Sequence, residues 1–233
     1  WFGASARKLG DLDGDGTPDF GVGAPRAGST GEGVLYLYSG ANRSLLRSIS
    51  GFSPNSSFAY CSAGLGDING DGFGDIVVGA PNDGASGRAH VFTGPTFTLR
   101  YSLDGPGSLS NFGQGLASLG DVNGDQICDF AVAAYNASPS GIMQAGQVFV
   151  ISGAQGLILR SHRGIAPGDN LGHGLGSADV DGDGIHDVIT GAPRADSQSA
   201  QDVGRSQVYS GRTGLLLSST EGTASNQQLG WTV

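Results

Sequence analysis

Four stretches of this 233-residue chain set oxygen-bearing side chains at alternate positions of a tight loop. In residues 11–19, Asp11, Asp13, Asp15 and Asp19 stand at loop positions 1, 3, 5 and 9, with Gly14 at position 4. The frame returns with Asp67, Asn69, Asp71 and Asp75, and again with Asp121, Asn123, Asp125 and Asp129. Asp179, Asp181, Asp183 and Asp187 complete the set. Alternate carboxylates on a turn converge on one point, and such a cage of hard oxygens suits Ca²⁺. The backbone carbonyl of position 7 (Thr17, Phe73, Ile127, Ile185) supplies a further ligand and water the rest. The expectation is about four Ca²⁺, one per loop. Without an ion, so many carboxylates on one short loop would repel one another.

The loop resembles an EF-hand over its first six residues and then departs from it. An EF-hand needs a bidentate Glu at position 12, where this chain has Val22, Val78, Val132 and Thr190. Helices should flank an EF-hand, whereas apolar, partly β-branched runs follow these loops, as in Asp75-Ile76-Val77-Val78-Gly79-Ala80-Pro81. Such runs read as strands entered at the position 9 Asp. The metal loop is therefore the turn of a β-hairpin.

Composition agrees. The net charge of −9 argues against nucleic acid and anionic membranes as partners. Of 21 acidic residues, 14 lie in the four loops, and four Ca²⁺ would bring the net charge to about −1. No run of 18 apolar residues exists, so no transmembrane helix or membrane insertion is expected. No signal peptide stands at Trp1, but a secreted protein would have lost one. Cys61 and Cys128 make neither a disulfide framework nor a metal motif and read as two free thiols.

The elements that must hold these loops repeat with them. Loops start at residues 11, 67, 121 and 179, giving periods of 56, 54 and 58. Before each lies an aromatic or Leu followed by a small residue (Phe2-Gly3, Phe58-Ala59, Phe112-Gly113, Leu171-Gly172), then a small-residue strand. After each comes the apolar strand, a Gly-led strand such as Gly33-Val34-Leu35-Tyr36-Leu37-Tyr38, and a more polar fourth strand. Four short strands per unit are the signature of a β-propeller blade. The expected fold is all-β: four-stranded antiparallel blades at about 1–51, 52–105, 106–164 and 165–222, with 223–233 opening a further blade. A calcium-binding β-helix would need a nonapeptide repeat, far shorter than the one observed.

Phe2-Gly3 followed by Gly23-Ala24-Pro25 resembles the FG-GAP repeat of the integrin α-subunit propeller. Gly79-Ala80-Pro81 and Gly191-Ala192-Pro193 match it too, as do the intervening calcium loops, so the resemblance covers nearly the whole chain. Blade three departs, with Ala133-Ala134-Tyr135 for Gly-Ala-Pro and Gln126 where other loops have Gly. Blade four has Leu171 for Phe, and its first strand is one residue shorter before Asp179. Integrin-like propellers usually have seven blades, so the resemblance leaves three options: a fragment, a small closed propeller, or a subunit that self-associates.

No catalytic constellation is legible. His90, His162, His173 and His186 fall at different blade positions, and no nucleophile elbow or phosphate loop is present. The reading is a non-enzymatic, extracellular or cell-surface calcium-binding module for adhesion, protein–protein interaction or assembly. Antiparallel blades put the calcium loops at one end and the variable loops at the other, where Arg26, Asp83, Tyr135, Asn136, Arg194 and Asp196 project. The resemblance implies a protein or glycan ligand there. A carbohydrate-binding propeller, accessory to a secreted enzyme, is the alternative. It should repeat an aromatic pocket in each blade, and Tyr135 is not repeated at Pro25, Pro81 or Pro193. Asn42, Asn55 and Asn136 lie in Asn-x-Ser sequons.

Overall fold

A computed structural model describes residues 2–233. Sixteen strands form four separate antiparallel sheets, each of four strands in chain order. The first sheet holds β1 (Ser5–Gly10), β2 (Asp19–Ala24), β3 (Val34–Tyr38) and β4 (Leu45–Ser50). The second holds β5 (Ser62–Gly66), β6 (Asp75–Ala80), β7 (Arg88–Thr93) and β8 (Thr98–Asp104). The third holds β9 (Leu116–Gly120), β10 (Asp129–Ala134), β11 (Gln147–Ile151) and β12 (Ile158–Arg163). The fourth holds β13 (Leu175–Ala178), β14 (Asp187–Ala192), β15 (Arg205–Tyr209) and β16 (Leu216–Glu221). These are propeller blades. Their first strands stand side by side, β1 against β5, β5 against β9 and β9 against β13.

Side-chain alternation lets one strand serve two interfaces. Leu35 and Leu37 of blade one pack on Ile76, Val78 and Phe92 of blade two. The other face of blade two sends Val77, Ala89 and Val91 against Phe130, Val132 and Phe149 of blade three. Ala131, Ala133, Val148 and Val150 then meet Leu175, Val188 and Tyr209 of blade four. Consequently β6 and β10 are buried at all six positions, whereas β16 is exposed throughout. Each fully buried Val, Ile or Phe contributes about 1.5–3 kcal/mol.

The Phe-Gly and Gly-Ala-Pro signatures meet between blades. A Cβ on Gly23, Gly79 or Gly191 would lie 2.1, 1.9 and 1.9 Å from the carbonyl oxygens of Ala59, Gly113 and Gly230. Only glycine permits that approach. The shorter first strand of blade four also has a geometric meaning. The hairpins of blades one, two and three each carry a β-bulge beside the loop, whereas β13 pairs with β14 without one.

Residues 223–233 form no strand. Leu229 makes an isolated parallel bridge to Gly204, the counterpart of the Leu171–Gly146 bridge between blades three and four. The segment therefore begins as a fifth blade would.

Candidate functional site

Each loop folds around its position 1 Asp. Asp11 accepts the Gly14 N–H on Oδ1 and the Gly16 N–H on Oδ2, both at 2.8 Å. Asp67 does the same for Gly70 and Gly72, Asp121 for Gly124 and Gln126, and Asp179 for Gly182 and Gly184. Position 5 accepts the N–H of position 7, from Thr17, Phe73, Ile127 and Ile185 in turn. Position 6 needs a left-handed backbone, and Gln126 holds φ 67° where the other loops use Gly16, Gly72 and Gly184.

The position 9 carboxylates have a task that sequence reasoning missed. Asp19, Asp75, Asp129 and Asp187 are fully buried. Their Oδ2 atoms accept the N–H of Leu12, Ile68, Val122 and Val180 at 2.6, 2.7, 3.0 and 2.8 Å. Their Oδ1 atoms accept Gly40, Gly94, Gly153 and Gly211 at 2.8, 2.8, 3.1 and 2.9 Å. One carboxylate thus ties the metal loop to the turn between the third and fourth strands. The available signal was the Ser-Gly or Thr-Gly that ends every third strand.

Electrostatics separates the positions. Burial pushes Asp75 and Asp129 above the usual carboxylate range despite their N–H donors. At Asp67 and Asp121 the combined N–H donors outweigh partial desolvation and hold the carboxyl below that range. Desolvation, then the charges of Asp19, Asp15 and Asp11, raise Asp13. A divalent cation would relieve that repulsion.

The donors present fit Ca²⁺. Carboxylate oxygens of Asp11, Asp13 and Asp15 lie within 4.8 Å of one another, as do those of Asp179, Asp181 and Asp187. All are hard oxygens from one loop, the set that calcium prefers. In loops two and three the Asn69 and Asn123 amides donate to Asp71 and Asp125 at 2.9 and 3.0 Å. Loop four differs, because Asp183 accepts a 2.6 Å hydrogen bond from Arg212 Nε, which lowers its pKa. Nothing in the repeat pattern pointed to Arg212.

The opposite end corrects one expectation. Asp83 is not a solvated loop residue: it is 1% exposed and faces His90 Nε2 at 3.1 Å. His90 Nδ1 in turn meets Ser102 Oγ at 2.8 Å, so Asp, His and Ser stand in line where no such group was expected. Phe52, Phe58 and Phe92 wall the imidazole at 5.1, 5.9 and 6.5 Å between ring centroids. Burial lowers the His90 pKa, so the ring sits neutral with both nitrogens satisfied. That is the arrangement of a core histidine. Arg26, Arg194 and Asp196 are exposed, and Tyr135 and Asn136 half-buried. A chain of amides links three blades there: Asn170 donates to Asn136, Asn136 to Asn111, Asn111 to Asn82 and Asn82 to Ser57. Cys61 and Cys128 are free, with burial pushing the Cys61 thiol up to about 12.

Comparison with known proteins agrees with this geometry. A family model for the FG-GAP repeat matches residues 2–38, 62–92 and 171–209. Integrin alpha-V of Gallus gallus is 34% identical over 206 residues, covering 79% of this chain and 19% of its own length. Integrin alpha-PS2 of Drosophila melanogaster is 32% identical over 214 residues, covering 80% of the chain and 15% of its own length. The chain therefore spans less than a quarter of these relatives. Among solved structures, the Dos1 propeller superposes with a TM-score of 0.55 at 13% identity, over 96% of this chain and 49% of that one. That likeness concerns the fold alone.

Proposed function

This chain carries FG-GAP repeats, and from that premise we propose that it is a calcium-stabilised, non-enzymatic adhesion module of the extracellular space or cell surface. The observation that carries the reading is the fourfold loop in which the position 9 carboxylate ties the metal hairpin to the neighbouring turn. Asp11, Asp13, Asp15 and Asp19 would hold one ion with the carbonyl of Thr17, and the other loops would follow the same pattern. Bound there, Ca²⁺ supplies charge neutralisation and holds the hairpin closed.

Its partner surface is the opposite face, built from the loops that differ between blades. The outer surface of blade four, where β16 is exposed throughout, takes a further blade-like surface from continuing sequence or a second copy. No helix among the described residues is long and apolar enough to cross a membrane. Elemental analysis with calcium titration should find about four ions per chain, and a surface coated with the loaded protein should retain cells in a calcium-dependent way. Absence of bound calcium removes the first half of the reading. Attachment that ignores calcium removes the second.

A further inference from the structure

On the face opposite the metal loops the first strands open onto a cavity of ≈ 730 Å³. Tyr60, Gln114, His173 and Trp231 line it, and all four occupy one repeated position, two residues after the aromatic or Leu that opens a blade. The repeat thereby delivers a phenol, an amide, an imidazole and an indole to one mouth. The His173 ring lies 4.2 Å from that of Trp231, and its Nδ1 is 3.2 Å from the Trp231 carbonyl. Tyr135 packs edge-on to His173 at 5.4 Å. Tyr60 and Trp231 remain 44% and 49% exposed, leaving ring surface open to a ligand.

Charge sharpens the picture. The chain is strongly acidic, yet among the described residues no lining side chain is a carboxylate, and Arg7 and Arg26 both lie on the wall. A guanidinium recognises a carboxylate through paired hydrogen bonds. Rings with one apolar face and one polar edge suit a ligand that is itself apolar on one face and hydroxylated at its rim. The amide of Gln114 supplies a donor and an acceptor on the same wall. The volume lies within the range of small-ligand pockets.

We propose that this cavity binds an anionic saccharide, with sugar rings on Trp231 and Tyr60 and a uronate carboxylate on Arg7. The assignment rests on the reading of this face as a partner surface, and names its ligand class. A lectin site was expected to repeat Tyr135; the repeated position is instead that of Tyr60, His173 and Trp231.

The test uses the calcium-loaded chain and a hyaluronan tetrasaccharide, whose carboxylates can be methyl-esterified without changing its rings. Titration calorimetry should detect binding to the wild-type protein. Esterification, Arg7→Gln and Trp231→Ala should each weaken it roughly tenfold or more, with melting temperatures in calcium unchanged. No heat with the tetrasaccharide, or binding indifferent to both substitutions, overturns the proposal. Cell attachment separates this failure from failure of the underlying reading. If Trp231→Ala abolishes attachment while the tetrasaccharide neither binds nor competes, the face is a partner surface for something other than a uronate. If attachment ignores Trp231→Ala, the face itself is misassigned.

Discussion

At the metal-loop end, four hairpins use the same frame for the same bonds; at the other end, the loops agree at most in pairs. Every position 9 Asp accepts one N–H from its own loop and one from the next turn. The opposite loops carry Arg26, Asn82 and Arg194 after Gly-Ala-Pro, and Asn136 after Ala-Ala-Tyr. Their side chains reach across blades, as in the amide chain from Asn170 to Ser57. The difference separates two jobs. One end closes each blade and is copied because every blade needs closing. The other joins different blades and faces solvent, so it is free to vary.

Calcium removal should expose that difference most strongly. Extracellular sites bind at roughly 10⁻⁴–10⁻³ M, so millimolar calcium contributes on the order of 1 kcal/mol per site. Four sites together should raise the melting temperature by about 10 °C or more. Chelation with EGTA, followed by differential scanning calorimetry, reads the drop. Trp231→Ala and Arg7→Gln at the other end should leave it in place. A melting curve indifferent to EGTA would break the comparison.

Next in size is the tie itself. Asp75→Ala orphans the buried N–H groups of Ile68 and Gly94 and should destabilise by about 2–5 kcal/mol even in EGTA. Because the metal is already gone, this isolates the stitching role from ligation. A loss seen only in calcium would mean that Asp75 acts through the ion alone.

Between the two ends lies the stacked middle, and His162 probes it. Its ring stacks on Tyr209 of blade four at 3.9 Å, and its Nε2 is buried with no hydrogen-bond partner among the described residues. Burial, aided by Arg160, lowers its pKa from 6.5 to about 4. The folded protein thus prefers the neutral imidazole, so its contribution is complete above pH 6.5 and declines as pH falls towards about 4. The decline amounts to at most about 3 kcal/mol. Urea melts between those pH values should show a steeper loss in the wild type than in His162→Phe. Parallel slopes would refute the assignment.

How far the sequence reaches follows from the same contrast. Loop positions, hairpins and blades were legible because each is a local pattern repeated four times. The partners of the position 9 Asp lay about 20 residues away, in a repeated Ser-Gly or Thr-Gly turn whose link to the loop no local spacing reveals. Asp83 read as a solvated loop residue because its partner His90 lies across a hairpin in the next strand. The amide chain was missed although Ser57, Asn111 and Asn170 share one repeat position and Asn82 and Asn136 another, because bonded partners sit 25–34 residues apart in different loops.

Loop four offers a smaller effect. Arg212 holds Asp183 from outside the repeat frame, so it competes with an incoming cation for one carboxylate. An exposed ion pair is weak, so Arg212→Gln should tighten calcium at this loop by at most roughly fivefold. Calcium titration with the other three loops disabled would measure it. An unchanged or weaker affinity would show that Arg212 orders the loop instead of competing with the ion.

The smallest expected effect concerns loop three, which its residues lead us to expect as the weakest of the four sites. It offers three carboxylates, and its position 6 residue is Gln126, held at φ 67° where loops one, two and four place glycine at 83, 88 and 85°. A side chain in the left-handed region costs about 1–2 kcal/mol. Glycine removes that strain but loses about 0.5–1 kcal/mol more entropy on folding. Gln126→Gly should therefore stabilise by roughly 0.5–1 kcal/mol, about 2 °C in melting temperature for a chain of this size. Part of the strain is borne only when the loop is closed, so calcium affinity at loop three should rise with it. Melts in calcium and in EGTA distinguish the two contributions. Should Gln126→Gly melt lower than the wild type in both, the left-handed backbone is held by contacts of the Gln126 side chain, and loop three is not the weak member of the set.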